Sequence, residues 1–278
     1  MLIQGITLTG TPVNDGLVTN GLQLYLDSRN PSSWPGAGTT WYDLSPNAKH
    51  ATFYQNVSPT DTGSPGSYEG TAIDGGTIFN NGYGDLRFDG LTADNVYQYA
   101  HGPNLGNSIT QFTINSWFFI RTLPPSGNTN YFPCILTTNY TGSPSTVNFS
   151  LGFGTGQTSQ DQKLYGGFFD GGWRVTTGVS INTGNWYNAC VTYNGSTVTL
   201  YVNNVSSATL SYSSTSMTQT LGYRVARRWD NHDSIDGYIP VIQVYNRALS
   251  ASEISQNFNY HRRSEEHTSE LQSLRHLV

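Results

Sequence analysis

The chain has 278 residues, a formal net charge of −5 at pH 7 and 11% charged side chains, where globular proteins typically have about 25%. A chain with this charge and without a run of basic residues lacks the electrostatic footprint of a protein that binds nucleic acid or an anionic membrane. Its length allows one large all-β domain or two smaller domains, and we expect one.

The first 84 residues contain an arm, one clear strand and two long loops. Residues 1–20 include a single strand-like stretch and lack the charged start and apolar run of a signal peptide. In residues 21–27 leucines alternate with other side chains, which predicts the first strand of the domain. Residues 28–48 and 55–84 are rich in Pro, Gly, Ser and Asn, so we expect no regular element there. Loops of this length are usually functional or mobile.

From residue 86 onward, short strands follow one another at regular spacing. The predicted strands share apolar residues in alternation and are bounded by turn residues; they lie at 86–89, 96–99, 113–120, 147–153, 163–169, 174–177 and 237–245. Many short strands with turns between them predict an antiparallel sandwich or jelly roll. Pro240 cannot donate a ladder hydrogen bond, so we expect its strand to lie at a sheet edge or to be bulged.

Two tight hairpins in a row organise residues 184–210. Asn194 and Gly195 predict a two-residue turn, in which both central residues need positive φ. Asn203 and Asn204 then turn the chain back once more. Because this meander carries apolar residues on both faces in places, it belongs inside a sandwich rather than in a sheet with one wet side.

One helix start follows, and then a tail of different composition. Ser250 and Glu253 form a capping box, which predicts a short helix of about two turns. In residues 263–278 five of 16 side chains are charged. This stretch resembles the conceptual translation of a sequencing adapter, and we expect it to be disordered and without function. The expected organisation is an arm (1–20), one domain (21–262) and this tail.

The stretch from Trp186 to Asn203, WYNACVTYNGSTVTLYVN, resembles the signature hairpin of laminin-G-like jelly-roll domains in the concanavalin A-like lectin/glucanase superfamily. Further short motifs extend the resemblance over nearly all of residues 21–258. It implies an all-β fold, an antiparallel β-sandwich of two sheets with a short C-terminal helix. It constrains function less, because this fold is found in lectins, hydrolases, adhesion modules and viral surface proteins.

The resemblance also implies a calcium site, because related domains often hold a structural cation where the N-terminal loop meets the C-terminal strands. The matching residues are Asp43 and Asn47, with Asp236 as a partner, and calcium prefers such oxygen ligands. Pro46 and Ala48 stand where relatives commonly have glycine. The alternative is that Asp43 only stabilises an Asx-turn.

Catalytic patterns are sparse. Glycosidases of this superfamily commonly use two Glu on one strand, but outside the tail the chain has only Glu69, in a loop, and Glu253, in the capping box. A pair from Asp230, Asp233 and Asp236 is the remaining catalytic alternative. No zinc, phosphate-binding-loop or serine-hydrolase motif occurs. We therefore expect no enzymatic activity.

The tryptophans point to a ligand site. We expect the two on predicted strands to lie in the core: Trp117 and Trp186. The other four lie in or beside loops, where an indole must either pack or bind something: Trp34, Trp41, Trp173 and Trp229. The predicted ligand-binding residues combine aromatic platforms with polar groups that suit sugars: Arg228, Trp229, Asp230, Asn231, His232 and Trp173. The alternative is that Trp229 only caps the core.

Together these features predict a non-enzymatic recognition or adhesion module that binds a glycan or a cell-surface polysaccharide. Low charge, the absence of a signal peptide and a full-length laminin-G-like domain are similar to tail or surface-decoration proteins of bacteriophages. We therefore expect a homo-oligomeric or virion assembly, made in the host cytoplasm and released by lysis, without nucleic-acid or membrane partners. The alternatives are a glycan hydrolase of the same superfamily and a purely structural spacer.

Overall fold

A computed structural model describes most of the chain. The described residues are 16–56, 71–73, 84–90, 97–106, 109–126, 132–138, 148–154, 161–213, 222–228 and 234–262. The predicted tail and residues 229–233, which include four of the predicted ligand-binding residues, lie outside them. The chain divides into two compact units, one of Asn20–Leu249 and one that combines Met1–Thr19 with Ser250–Val278.

The larger unit is built from strands. Sixteen occur within the described residues: β1 (Leu22–Asp27), β2 (Thr40–Trp41), β3 (Ala51–Asn56), β4 (Thr71–Ala72), β5 (Arg87–Phe88), β6 (Tyr97–Gly102), β7 (Phe112–Thr122), β8 (Cys134–Thr138), β9 (Asn148–Gly154), β10 (Lys163–Phe169), β11 (Trp173–Val175), β12 (Trp186–Tyr193), β13 (Thr197–Val202), β14 (Val205–Ser211), β15 (Tyr223–Val225) and β16 (Asp236–Tyr245).

The strands form two antiparallel sheets. The seven-stranded sheet has the order β1-β16-β7-β12-β13-β14, with β5 paired to β16. The nine-stranded sheet has the order β11-β10-β9-β8-β15-β6-β3-β2, with β4 paired to β3. The first and last strands are neighbours, and successive strands often change sheet, as in a jelly roll. The predicted fold class is therefore confirmed.

The two sheets face each other across an apolar core. Phe112 on β7 and Phe149 on β9 stack across it, with ring centroids 4.9 Å apart. Gly166 on β10 lies against Val191 on β12 so closely that a Cβ at Gly166 would be 2.5 Å from the valine side chain. Side chains that point the other way along each strand lie on the outer faces of the sandwich.

The predicted turn at Asn194 is present, but its type was wrong. Only Gly195 has positive φ there (97°), while the Asn194 side chain accepts a hydrogen bond from Ser196 N at 3.0 Å, as in an Asx-turn, and another from Thr197 N at 2.9 Å. The two-residue turn with positive φ at both positions is the next one, at Asn203 (49°) and Asn204 (66°). The Asn194 side chain supplies a local acceptor, which makes a longer loop stable without a strained backbone.

The strand that contains Pro240 is bulged, as predicted, but it does not lie at an edge. β16 runs between β1 and β7, and its register shifts between Tyr238 and Val241. Because the bulge interrupts the ladder at this point, no ladder hydrogen bond requires the N–H that Pro240 lacks. The proline carbonyl still accepts a hydrogen bond from Ser28 N at 2.9 Å.

Short strands were the hardest to predict. β8 and β15 were missed: β8 is buried throughout and has no polar alternation, and β15 has only three residues. β2 and β4 occupy two residues each in the segments that we expected to be irregular.

The smaller unit contains helix α1, which spans residues 251–262 and is longer than the predicted two turns. Its capping box is confirmed, since Ser250 N donates to Glu253 Oε2 at 2.9 Å and Glu253 N donates to Ser250 Oγ at 3.4 Å. Within the part of the chain that is described, no helix is long and apolar enough to cross a membrane.

Candidate functional site

A stack of three rings and one guanidinium lies on the outer face of the nine-stranded sheet. Trp173 on β11 pairs with Phe169 on β10, and their ring centroids are 5.3 Å apart in an edge-to-face arrangement. Phe132 stacks on Trp173 with ring centroids 6.2 Å apart. The Arg228 guanidinium carbon lies 5.2 Å from the Phe132 centroid. We call these four residues the Trp173 ridge.

Strand alternation places the ridge outside the core. Leu164 and Phe168 of β10 are fully buried between the sheets, so the alternate residue Phe169 points outward. Trp173 is its direct cross-strand partner and shares that face. Gly171, with φ at 93°, allows the tight turn that brings the two strands together.

Trp173 is one of the most exposed large apolar side chains in the described residues, at 37% of its surface. A charged pair lies at the same hairpin, where Arg174 Nε donates to Asp170 Oδ1 at 3.0 Å. The same guanidinium lies over the Tyr212 ring at 4.1 Å. Arg174 is the cross-strand partner of Phe168, which is buried between the sheets, so this charged pair lies on the opposite face of β11 from Trp173. The partly exposed indole itself suits the apolar face of a sugar ring.

Two further arginines hold the strand that leads to the ridge. Arg224 and Arg227 are almost fully buried. The Arg227 guanidinium carbon lies 5.0 Å from the Tyr99 ring and 5.2 Å from the Tyr97 ring, and that of Arg224 lies 5.4 Å from Tyr99. Such cation–π contacts are strongest when they are shielded from water. They fix the backbone from which Arg228 reaches Phe132.

The fold and this geometry can now be compared with known proteins. A family model of laminin G domains in the concanavalin A-like lectin/glucanases superfamily matches residues 91–255. The chain belongs to this family. The resemblance seen in the sequence is thereby confirmed. No curated protein matches this laminin G domain.

Solved structures with the same fold include binding domains and glycosidases. Domain 4 of AbnA, a GH43 extracellular arabinanase from Geobacillus stearothermophilus in complex with arabinotriose, has a TM-score of 0.52 at 14% identity, over 86% of this chain and 98% of that chain. Trypanosoma rangeli sialidase has a TM-score of 0.55 at 14% identity, over 92% and 36%. The botulinum neurotoxin serotype C1 binding domain has a TM-score of 0.51 at 13% identity, over 87% and 52%.

The extent of these matches limits what they show. This laminin G domain spans about a third of the sialidase chain and about half of the toxin chain, but almost all of the arabinanase domain. At 13–14% identity the likeness shows the shared fold alone.

The structure brings two of the predicted ligand-binding residues together. Arg228 and Trp173 lie 55 positions apart in the chain, and Phe132 bridges them. The other four predicted residues lie outside the described residues, so they remain predictions: Trp229, Asp230, Asn231 and His232.

The other tryptophans divide differently from our expectation. Trp34 and Trp41 are buried, and both contact Phe53, at 5.1 Å edge-to-face and 6.0 Å stacked. Trp117 is buried, but it alternates with the core residues of β7, as Phe119 does, so it lies on the outer face and its assignment to the core was wrong. Trp186 is only half-buried, so its assignment to the core was wrong. It is paired with Phe119, which alternates with core residues and therefore points away from the core.

The residues predicted to bind calcium do not form one site. Both Asp43 carboxylate oxygens accept hydrogen bonds, from Tyr25 N and Ser45 N on Oδ1 and from Ser45 Oγ and Lys49 N on Oδ2, at 2.7–2.9 Å. Asn47 Nδ2 donates a hydrogen bond to Leu22 O at 3.0 Å, so the NH₂ group of this amide faces β1.

Asp236 lies elsewhere in the sheet. Tyr25, which Asp43 contacts, is opposite Gln243, and Asp236 precedes Gln243 by seven residues on β16, roughly 20 Å along a strand. Asp236 accepts a hydrogen bond from Arg121 at 3.1 Å instead. Among the described residues, no group of three or more His, Cys, Asp or Glu is placed to hold a metal ion. The geometry matches the Asx-turn that we gave as the alternative.

The buried cysteine and tyrosine side chains of the two sheets are not activated as nucleophiles. Cys134 and Cys190 are both buried, and no disulfide bond joins them. Burial raises the pKa of the Cys190 thiol and that of the Tyr165 phenol well above their ordinary values. Both groups therefore stay protonated at neutral pH.

Proposed function

We propose that this laminin G domain is a carbohydrate-recognition module that does not cleave its ligand, and that Trp173 is its binding platform. The observation that carries the proposal is the partly exposed indole of Trp173, held by contacts with Phe132 and Phe169 on the outer face of a sheet. A rigid platform loses little side-chain entropy on binding, which matters most for weak ligands.

The chemistry of the ridge matches a sugar. One face of a pyranose or furanose presents C–H groups that pack on an indole, while its hydroxyls lie at the edge of the ring. Arg228 at the far end of the ridge offers hydrogen-bond donors to such hydroxyls.

The similar structures support a glycan as ligand. The arabinanase domain, which has nearly the same extent as this domain, was solved with arabinotriose. The sialidase and the toxin binding domain carry the same fold within longer chains. This fold therefore occurs in proteins that act on or bind carbohydrates, although the chemistry differs from one protein to another.

The carboxylates near the ridge favour binding over cleavage. Glycosidases typically need two carboxyl groups about 5–10 Å apart. Among the described residues of the ridge hairpin there is one, Asp170, and it is neutralised by Arg174. Asp161 lies at the other end of β10, where it accepts a hydrogen bond from Ser126 Oγ. The hydrolase alternative would require a second carboxylate beside Asp170.

Replacing Trp173 with alanine should weaken binding at least tenfold while the domain stays folded. The indole is the largest open apolar surface of the ridge, and a few such anchors dominate binding energy. Because the side chain is partly exposed, we expect its loss to cost less than about 1 kcal/mol of stability. The measurement is binding to an array of immobilised neutral and acidic glycans, with thermal melting of both proteins.

Tyr42 provides a matched control, since it is 42% exposed and contacts His50 far from the ridge. Tyr42→Ala should leave glycan binding unchanged. Equal binding by the wild type and Trp173→Ala would contradict the proposed site. Release of reducing ends from any bound glycan would contradict the non-enzymatic part of the proposal.

We also propose that several copies act together, in a homo-oligomer or on a repetitive surface such as a bacteriophage virion. The edge strand β14 supports this part. Among the described residues it pairs only with β13, and Val205 at its start is 64% exposed. None of its seven residues is charged or proline, the features that usually block edge-to-edge pairing. Several weak sites in one assembly gain affinity through avidity.

Thr209→Lys should reduce self-association, because an exposed lysine in the middle of β14 opposes pairing with another edge. The measurement is sedimentation velocity over a range of protein concentrations. Thr183→Lys, an exposed turn substitution with the same charge change, is the control and should behave like the wild type. A wild-type protein that stays monomeric at every concentration would contradict assembly through this edge.

A further inference from the structure

The outer face of the seven-stranded sheet, on the opposite side of the sandwich from the Trp173 ridge, carries three aromatic residues at adjacent cross-strand positions. Trp186 on β12 pairs with Phe119 on β7, and Phe119 pairs with Tyr238 on β16. Their ring centroids are 5.5 Å (Trp186–Phe119), 5.8 Å (Phe119–Tyr238) and 6.3 Å (Trp186–Tyr238) apart. We call these three residues the Trp186 row.

The row crosses three adjacent strands. The three ring centroids are 5.5–6.3 Å from one another, so the side chains converge into one compact cluster above these strands. All three side chains are half-buried, whereas the flanking residues of β7, Phe118 and Ile120, are buried in the core. Adjacent, partly open aromatic side chains on a sheet face are typical of interaction surfaces rather than of plain surface.

Paired charges border the row on one side. Tyr238 is opposite Arg87 on β5. Arg87 and Arg121 both contact Asp89, at 2.6 and 3.3 Å, and Arg121 also contacts Asp236 at 3.1 Å. The Arg121 side chain is 40% exposed, so part of this network is open to a ligand.

A second charged pair borders the other end. The Arg29 guanidinium carbon lies 5.2 Å from the Trp186 ring, and Arg29 Nε contacts Asp85 at 2.6 Å. Each guanidinium at the border is therefore matched by a carboxylate. The border offers both donors and acceptors, but it has no excess of positive charge to attract an anionic ligand.

We propose that the Trp186 row is a second binding surface, and that it takes a neutral oligosaccharide. The aromatic cluster would hold the C–H face of one sugar unit, and the paired Asp and Arg side chains would exchange hydrogen bonds with the hydroxyls of that unit and its neighbours. An acidic glycan fits less well, because every guanidinium at the border is already paired with a carboxylate and none is left to pair with the carboxylates of the ligand.

This surface is independent of the Trp173 ridge, since the two lie on opposite outer faces of the sandwich and share no residue. A domain with two such surfaces holds two glycan chains at once. A single copy is then already bivalent, and the second binding event gains from the first.

The test uses the Trp173→Ala protein, so that binding at the ridge does not contribute. Cellohexaose, mannohexaose and arabinohexaose are the neutral probes, and hexagalacturonate is the acidic probe. The readout is the indole N–H signal of Trp186 in two-dimensional NMR. We expect at least one neutral probe to shift this signal in a saturable way, and hexagalacturonate to leave it in place at the same concentration.

Adding Tyr238→Ala should lower the affinity for the neutral probe at least tenfold. Tyr238→Phe should retain most of that affinity, because the ring remains. Tyr201→Ala is the matched control, since Tyr201 is a partly buried aromatic residue of β13 on the same face, opposite Cys190 and outside the row. If Tyr238→Ala does not fold, Arg121→Ala is used instead. It removes exposed hydrogen-bond donors at the border and should lower the affinity for the probe about threefold.

An unmoved Trp186 signal with every neutral probe would overturn the proposal, as would unchanged affinity in a folded Tyr238→Ala protein. An equal response to hexagalacturonate would overturn the assignment to neutral glycans. The two proposals can be overturned separately. If Trp173→Ala abolishes array binding and no probe shifts the Trp186 signal, only the proposal for the Trp186 row is overturned. If a probe shifts the Trp186 signal and Trp173→Ala leaves array binding unchanged, only the proposal for the Trp173 ridge is overturned.

Discussion

Trp41→Ala should lower the free energy of unfolding by about 3–5 kcal/mol, the usual cost of emptying a large aromatic core site. Trp41 is fully buried, and its indole stacks on Phe53 at 6.0 Å. Phe53 in turn contacts Trp34 at 5.1 Å. Removing Trp41 therefore opens a cavity beside a ring that two tryptophans share, and the surrounding sheet cannot easily collapse into it.

The measurement is urea denaturation followed by circular dichroism, with Trp173→Ala as the control. Both variants lose an indole, but the second indole is partly exposed. We expect the midpoint to fall strongly for Trp41→Ala and little for Trp173→Ala. Equal midpoints for the two variants would mean that the core does not depend on Trp41.

Asp43→Ala should cost about 3 kcal/mol, since a buried donor without a partner typically costs 1–3 kcal/mol and this substitution affects several. The carboxylate accepts hydrogen bonds from Tyr25 N, Ser45 N, Ser45 Oγ and Lys49 N. These contacts tie the loop after β2 to the first strand. Losing them leaves the backbone N–H of Tyr25 buried without its acceptor.

Asp43→Asn is the matched variant, because its carbonyl oxygen can keep the two bonds on Oδ1 while its amide loses those on Oδ2. We expect it to be intermediate in stability. Thermal melting with calcium chloride and with a chelator decides between the two roles of Asp43. If calcium raised the wild-type melting temperature and Asp43→Ala removed that effect, Asp43 would be a calcium ligand rather than a turn residue.

Much of the sandwich could be predicted from period-two alternation. β9 (Asn148–Gly154) was predicted to within one residue at each end, because Phe149, Leu151 and Phe153 alternate in the sequence with Ser150 and Gly152. β8 (Cys134–Thr138) could not be predicted, because all five of its residues are buried and their polarity does not alternate. The turn at Asn194 shows another limit. Asn-Gly indicated a turn, but the choice between an Asx-turn and a two-residue turn depends on where the asparagine side chain bonds.

The candidate sites were harder to predict than the strands. Arg228 and Trp173 were recognised as polar and aromatic residues in loops, but their link through Phe132 is a long-range contact that no local spacing encodes. Trp186 was assigned to the core because it starts a hairpin strand. Which face of that strand it occupies depends on register with Phe119, and a shift of one residue would reverse it.

The most direct test of glycan recognition is to observe the six indole N–H signals while arabinotriose, cellotriose, mannotriose and sialyllactose are added in turn. Assignment by single Trp→Phe substitutions identifies each signal. The predicted result is that one of these probes shifts the Trp173 signal in a saturable way, while the signals of the buried Trp34 and Trp41 stay in place. A saturable shift confined to other tryptophans, or no shift with any of the four, would contradict the account.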